Sequence, residues 1–312
     1  MNNLVQIIYL APERINLSDS CLFWATEPDE DYIRNLKDFG QTEPVLVMSD
    51  PEKKILVAGY KRVRALKVLD REILALEIPA GNAYSKGLTY LFSNQGQTLD
   101  QGKIILALRY FSSINNISEE VWKQLNINPG LRIQGLWQSW LTLPAPWDKL
   151  LAKGNICLEC AEILEKSPPK DLETLYPFFA ELSWSRNNSL NLLSWLAEKA
   201  RMAHTDLSTI ITDLELEKIL QADLSPADKI KSILRIVFKA RHPVLSGMKD
   251  NLTRRLRNIS AGTEWRIEHK DEFESREIII SARIKTRQDL EKAITRLEHI
   301  SKSGALDNWP IK

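Results

Sequence analysis

A short apolar strand that runs straight through a glycine into a basic helix marks the start of this chain as a small mixed α/β unit. Ile55 to Ala58 is the strand, and Gly59-Tyr60-Lys61-Arg62 opens a short helix that continues through Leu69. A glycine at the strand end lets the backbone approach a ligand without a Cβ clash. The helix behind it presents unpaired N–H groups and the positive end of its dipole. Lys61 and Arg62 add two cations able to make charge-assisted bonds to phosphate oxygens. The local chemistry therefore suits a polyphosphate, although basic residues in a first helical turn are also commonly just solvated.

The surrounding pattern fills out the unit. Val5 to Leu10 is β-prone and ends at Pro12. Asp29 to Phe39 carries Tyr32, Ile33, Leu36 and Phe39 at helical spacing, with Gly40 closing the helix. Pro44 to Met48 predicts a buried strand, Ser49-Asp50-Pro51-Glu52 a turn, and Ile73 to Ile78 a third strand. Pro79 to Gly87 reads as a glycine-containing linker. Helical patterns take over from Leu99 to Lys166, broken at Asn126-Ile127-Asn128-Pro129-Gly130 and at Pro144 and Pro146. Ser167-Pro168-Pro169 is the sharpest boundary, since consecutive prolines cannot continue a helix. Residues 171–247 are helical again, with Ser225-Pro226 starting one helix.

The last stretch changes character. Glu277 to Ile284 alternates as a strand does, Trp265 to Ile267 can pair beside it, and Thr286 with Asp289 forms a near capping box for a final helix. The fold class is α+β: a small mixed N-terminal domain (1–80), an all-α centre (97–166 and 171–247) and a small α/β C-terminal region (248–312).

Composition narrows the classes. The chain has 312 residues, 44% hydrophobic and 27% charged, and a formal net charge of +1. That balance fits a folded globular protein, and any surface for nucleic acid must be locally basic. With no basic leader and no long apolar run, neither a signal peptide nor a membrane span is expected, and a cytoplasmic location follows. Of the nine tryptophans, Trp122, Trp137, Trp140, Trp147 and Trp184 crowd into one helical region. A large aromatic core is the expected reason, ahead of a base-stacking surface.

The order of motifs resembles a known family. Leu36-Lys37-Asp38-Phe39-Gly40-Gln41-Thr42-Glu43-Pro44-Val45-Leu46-Val47, then Val57 to Leu66, is similar to the ParB N-terminal domain of the ParB/sulfiredoxin-like fold. That domain has a helix ending in Gly, a Gln-Pro-like step into a strand, and a Gly-Glu-Arg-Arg box followed by Arg-Ala. Leu10 to Ile15 looks like the family's opening. Downstream, Leu143-Pro144, Gly154-Asn155-Ile156 and Cys160-Ala161 are similar to ParB's Leu-Pro, Gly-x-Ile and His-Ala steps. Ser118 to Leu125 sits where ParB proteins carry a helix-turn-helix.

In the family the box binds the triphosphate of CTP, so the resemblance implies Gly59, Lys61 and Arg62 as phosphate ligands, with Asn94 retained from a third box that here reads Ser93-Asn94-Gln95-Gly96-Gln97. CTP or ATP with Mg²⁺ is the implied cofactor, and DNA the implied partner. Arg132, Gln134 and Gln138 are the candidates for base contacts. Tyr60 replaces the glutamate of the box, and the acid and arginine of the third box are gone. Sulfiredoxins need a cysteine where Tyr60 stands, which argues against peroxiredoxin repair. In the helix-turn-helix, Trp122 stands where a small residue is usual and Asn126 where the turn glycine is.

Other signals carry less. Cys157-x-x-Cys160 has metal-ligand spacing but no second pair or nearby histidine, and reads as buried thiols on an apolar helix face. No metal site is expected. Lys249, Arg254, Arg255 and Arg257 form a basic cluster on a helix with Met248, Leu252, Leu256 and Ile259 as its apolar side. That region can also serve as a homodimer contact by analogy with ParB relatives. The expected function is a ParB-like, DNA-associated protein, of the kind that partitions chromosomes or plasmids, with a nucleotide switch in its first domain. The alternatives are a nucleotide hydrolase or ATP-dependent phosphotransferase, for which Glu43 is the candidate carboxylate, and a non-catalytic module binding a protein partner.

Overall fold

The computed structural model describes residues 6–18, 20–49, 54–128, 130–269 and 278–303. Val5, the turn residues from Asp50 to Glu52, Pro129 and Glu277 lie outside them. The N-terminal unit comprises β1 (Gln6–Leu10), β2 (Ile15–Asn16), α1 (Glu30–Phe39), β3 (Val45–Met48), β4 (Lys54–Ala58), α2 (Tyr60–Val68) and β5 (Ile73–Ile78). Its sheet has the order β1-β5-β3-β4-β2. β1 and β5 are antiparallel, β5 and β3 parallel, β3 and β4 antiparallel, and β4 and β2 parallel. Val45, Val47, Leu56, Val63, Leu66, Ile73 and Ala75 form its small core.

Local chemistry sets the ends of these elements. Asp29 caps α1 by accepting from the Tyr32 amide at 2.8 Å, and Gly40 ends it at φ 74°. Gly59 has φ 100°, and a Cβ there would meet Val45 Cγ1 at 2.8 Å. Only glycine combines that backbone with that approach to β3. The strand-to-helix join is therefore clamped directly onto the centre of the sheet.

A helical body follows: α3 (Ala83–Ser93), α4 (Gln101–Ser113), α5 (Glu119–Gln124), α6 (Arg132–Leu141), α7 (Pro146–Ala152), α8 (Ala161–Leu164), α9 (Pro169–Glu181), α10 (Arg186–Ala203), α11 (Leu207–Asp213), α12 (Leu216–Gln221) and α13 (Pro226–Arg241). The expected linker through Gly87 is instead mostly α3. Gly87 lies inside that helix because the rings of Tyr110 and Phe111 on α4 occupy the place of a Cβ, at 2.6 and 2.7 Å. Ser167-Pro168-Pro169 starts α9 and divides no cores, since one apolar cluster runs from Leu91 to Val237.

That cluster takes in the tryptophans. Trp122, Trp137, Trp140, Trp147 and Trp184 are all buried, at 0–3% exposure, so they build an interior and offer no face for stacking or docking. Arg109 on α4 locks the body together. Its guanidinium donates to both carboxylate oxygens of Asp148 at 2.9 and 3.0 Å and to the Leu141 and Leu143 carbonyls at 2.7 Å. The Trp140 indole donates to the same Asp148 at 3.0 Å.

At the C-terminal end α14 (Pro243–Ser260) packs Leu252 and Leu256 against Ile267. β6 (Trp265–His269) pairs antiparallel with β7 (Ile278–Ala282), and α15 (Arg287–Lys302) starts with the full Thr286/Asp289 capping box. Met248, expected on the apolar side of α14, is exposed. Among the described residues no helix is long and apolar enough to cross a membrane.

Candidate functional site: a cleft at the start of the basic helix

α2 points its N-terminus into a cleft of about 540 Å³ between the sheet unit and the helices α3 and α4. The first intrahelical bond is Val63 N–H to Gly59 O at 3.1 Å. The amides of Tyr60, Lys61 and Arg62 therefore precede the helix ladder, as the opening turn of any helix leaves its donors. Gly59, Lys61, Arg62, Asn94 and Glu43, all singled out from the sequence, line this one cleft.

Each cation of the turn meets a carboxylate from another element. Arg62 pairs with Glu43 and donates to the Pro44 carbonyl at 3.0 Å. Lys61 Nζ lies 3.9 Å from Asp29, the cap of α1, and 5.8 Å from the Tyr32 ring centroid. Glu27 receives Tyr60 Oη at 2.6 Å and Arg64 Nε at 3.0 Å. Those two bonds, Tyr60's first, hold the Glu27 carboxyl below its ordinary value, and the bond to Glu27 raises the Tyr60 phenol. Gln41 fixes the step into β3: its amide exchanges two 2.7 Å bonds with the Leu74 backbone and donates to the Glu43 carbonyl at 2.9 Å. Glu43 is thus held as the counter-ion of Arg62.

The far wall comes from the helical body. Asn94 caps the end of α3, donating to the Tyr90 carbonyl at 2.8 Å and accepting from Gln97 at 2.7 Å. Lys103 on α4 brings a further cation, held on Gln97 at 3.2 Å and the Thr98 carbonyl at 2.9 Å. Trp24 bridges the two walls: its amide donates to Tyr90 Oη at 3.1 Å, and its indole donates to the Lys103 carbonyl at 2.7 Å. Lys103, Trp24, Tyr32 and Tyr90 were not singled out as site residues from the sequence. Trp24 lies in an irregular segment, and its partner Lys103 is 79 positions away, so no periodicity signals the contact.

No protein-family profile matches the chain. Among curated proteins it is similar to the "Probable chromosome-partitioning protein ParB" of Campylobacter jejuni, 25% identical over 147 residues, which are 47% of this chain and 52% of the relative. The chain is ParB-like. The match spans about half the length of that curated relative. Three solved structures show looser likeness. A C-terminally truncated ParB from Caulobacter crescentus complexed to the centromeric parS site is 14% identical, with 54% of this chain and 90% of that one covered, at a TM-score of 0.35. The same truncated protein complexed with CTP-gamma-S is 16% identical, covering 54% and 96%, at 0.24. A Pnob8-like ParB-N domain is 16% identical, covering 81% and 98%, at 0.35.

In this ParB-like chain α5 and α6 stand where a helix-turn-helix is expected. Asn126 takes the left-handed conformation (φ 58°), its amide bonding Lys123 O at 3.0 Å and that of Ile127 bonding Trp122 O at 2.9 Å. This is the glycine-type helix stop made by asparagine, so the missing turn glycine costs the ParB-like chain no turn. Of the base-contact candidates, Arg132 is held bidentately by Glu162 at 2.9 and 3.0 Å. Gln134 accepts from the Gly130 amide at 2.7 Å, and Gln138 is exposed.

Proposed function

We propose that this protein is a DNA-associated partition-type protein whose N-terminal domain takes a nucleoside triphosphate, CTP or ATP, into the α2 cleft as a switch. The observation carrying this reading is the convergence of Gly59, Lys61, Arg62, Asn94 and Lys103 on one cleft whose walls belong to two different units. The relative's name supplies the association with chromosome partitioning.

The cleft fits a polyphosphate on its own evidence. The glycine lets the α2 amides reach a ligand, the dipole favours negative charge, and three lysine or arginine side chains surround the space. Their present carboxylate partners, Glu43 and Asp29, are surface groups at 72% and 68% exposure, which phosphate oxygens can displace at modest cost. Among the described residues no three potential ligands gather to hold a metal ion. A Mg²⁺ ion would therefore enter on the phosphates, as is common for this ion. Because α2 and Asn94–Lys103 lie on opposite walls, a bound triphosphate favours the arrangement that brings both within reach and biases the two units toward one docking. α6, with Arg132, Gln134 and Gln138, is the face offered to DNA, and residues 248–312 are the segment for homodimer contact. On this reading the protein works in the cytoplasm.

The deciding experiment is calorimetric titration of CTP, then ATP, with Mg²⁺, into the wild type and Arg62→Ala. Saturable binding that weakens at least tenfold in the variant supports the switch, and repeating it with duplex DNA at two salt concentrations tests the coupling. A folded wild type that binds neither nucleotide ends the proposal.

A further inference from the structure

Cys157-x-x-Cys160 is not two thiols on one helix face. Cys157 precedes a short 3-10 turn, Leu158–Cys160, in extended conformation at φ −92° and ψ 154°, and the turn runs on into α8. The backbone folds the two side chains together, with Cys160 N–H on Cys157 O at 3.2 Å and the sulfurs 3.5 Å apart. Cys157 is partly exposed, while Cys160 is fully buried in the main core. The sulfur of Cys157 also lies 3.5 Å from Ser189 Oγ, in the first turn of α10. The charged groups around it are Glu159 on its own turn and Arg186 on α10, joined to each other at 2.9 Å.

We propose that Cys157 and Cys160 form a redox-active dithiol, with Cys157 as the attacking sulfur and Cys160 as the resolving one, oxidised by low-molecular-weight disulfides. The asymmetry of the pair assigns the roles, since an attacking thiol needs access and thiolate character whereas a resolving thiol needs proximity. Cys157 supplies access, and the bond from Cys160, followed by that from Ser189, lowers its thiol to about 7. The Cys160 thiol is pushed up, first by its bond to Cys157 and then by burial, so it keeps its proton until the second step.

The reaction balances. The Cys157 thiolate attacks one sulfur of the disulfide RSSR, making a mixed disulfide and releasing RS⁻. Cys160 then gives up its proton and attacks Cys157 Sγ, closing the intramolecular disulfide and releasing the second RS⁻. Two protein thiols are oxidised and RSSR is reduced to two thiols. Ring closure needs the sulfurs to approach by ~1.5 Å, to the usual bond length of about 2.05 Å, a local movement of a three-residue turn.

The third cysteine, Cys21, is a built-in control, being 3% exposed with its thiol pushed up by burial to about 11. The test uses the full wild-type chain equilibrated with oxidised and reduced glutathione, quenched in acid, alkylated and digested with trypsin. Peptide 154–166 carries both cysteines. It is expected to lose two hydrogens in oxidising buffer and to regain them on reduction. Cys160→Ser is expected to trap glutathione on Cys157, and Cys157→Ser to leave Cys160 unmodified. The alkylation rate of Cys157 is expected to rise through a midpoint near 7. Recovery of the peptide with both cysteines alkylated from oxidising buffer, or with a lasting glutathione adduct on Cys157 in the wild type, overturns the proposal. Because the wild type alone gives that answer, a variant that fails to fold leaves the test intact.

Discussion

The sheet unit and the helical body place their distinctive side chains in opposite ways. Around α2 the cations Lys61, Arg62 and Arg64 stand at a rim, each facing a carboxylate from another element, above a core of mainly small aliphatic residues. In the body the large rings lie inside, and the half-buried charged pair Arg109–Asp148 packs beside them. The difference separates two uses of the same chemistry. A pair whose carboxylate is exposed leaves a rim ready to meet an outside anion, whereas Asp148, 13% exposed and with both oxygens engaged, fixes one packing. Removing a rim charge is therefore expected to change binding, and removing an interior group to change stability.

The largest departure should come from the interior. Trp140→Ala deletes a fully buried ring and is expected to cost about 3–5 kcal/mol in denaturant unfolding. Asp148→Ala strands the Arg109 guanidinium and the Trp140 indole N–H. It is expected to cost about 3 kcal/mol by the same measurement. If either variant unfolds like the wild type, the contrast between body and rim fails.

Gly59→Ala straddles the two regions, because the residue belongs to the rim but touches Val45 in the sheet core. Both a stability loss of about 1–3 kcal/mol and a loss of nucleotide binding are expected. Arg62→Ala, by contrast, should change stability by less than about 1 kcal/mol while weakening triphosphate binding at least tenfold. A large loss of stability in that variant would place Arg62 with the interior pairs instead.

The smallest effect is one of pH. Glu27 is depressed in the folded protein, so its bonds to Tyr60 and Arg64 contribute stability that is present above 4.5, its ordinary value, and lost as pH falls through the folded value. Thermal melts of wild type and Glu27→Gln should therefore differ at pH 7 and converge in acid. A difference that persists unchanged below pH 3 would show that Glu27 acts through something other than its charge.

The same contrast explains what could be read from the residues alone. β3, β5, α1 and the Gly59 turn were legible because their signals are local: alternation or apolar runs, a capping Asp29 and two glycines at element ends. Lys61 and Arg62 are found in the cleft with Gly59 for the same reason, lying within a few positions of it, whereas Asn94 comes from a distant helix end. α3 was not, because the need for Gly87 comes from rings on α4. Lys103 and Trp24 were missed because the cleft's far wall exists only once the helical body has docked. Asn126, standing in place of the turn glycine, is a working helix stop, since its side chain tolerates the left-handed backbone. The two thiols differ from the helix-face expectation because a three-residue 3-10 turn leaves too short a pattern to tell from a helix face.

Trp24 has one consequence outside energetics. Its indole is part of the cleft wall and is tied to α4, whereas Trp122, Trp137, Trp140, Trp147 and Trp184 are sealed from solvent and the half-buried Trp195 packs on Phe238 of α13. Fluorescence from Trp24 therefore responds to what enters the cleft. A Trp24→Phe variant supplies the blank, and the protein reports filling of its own cleft without an added label.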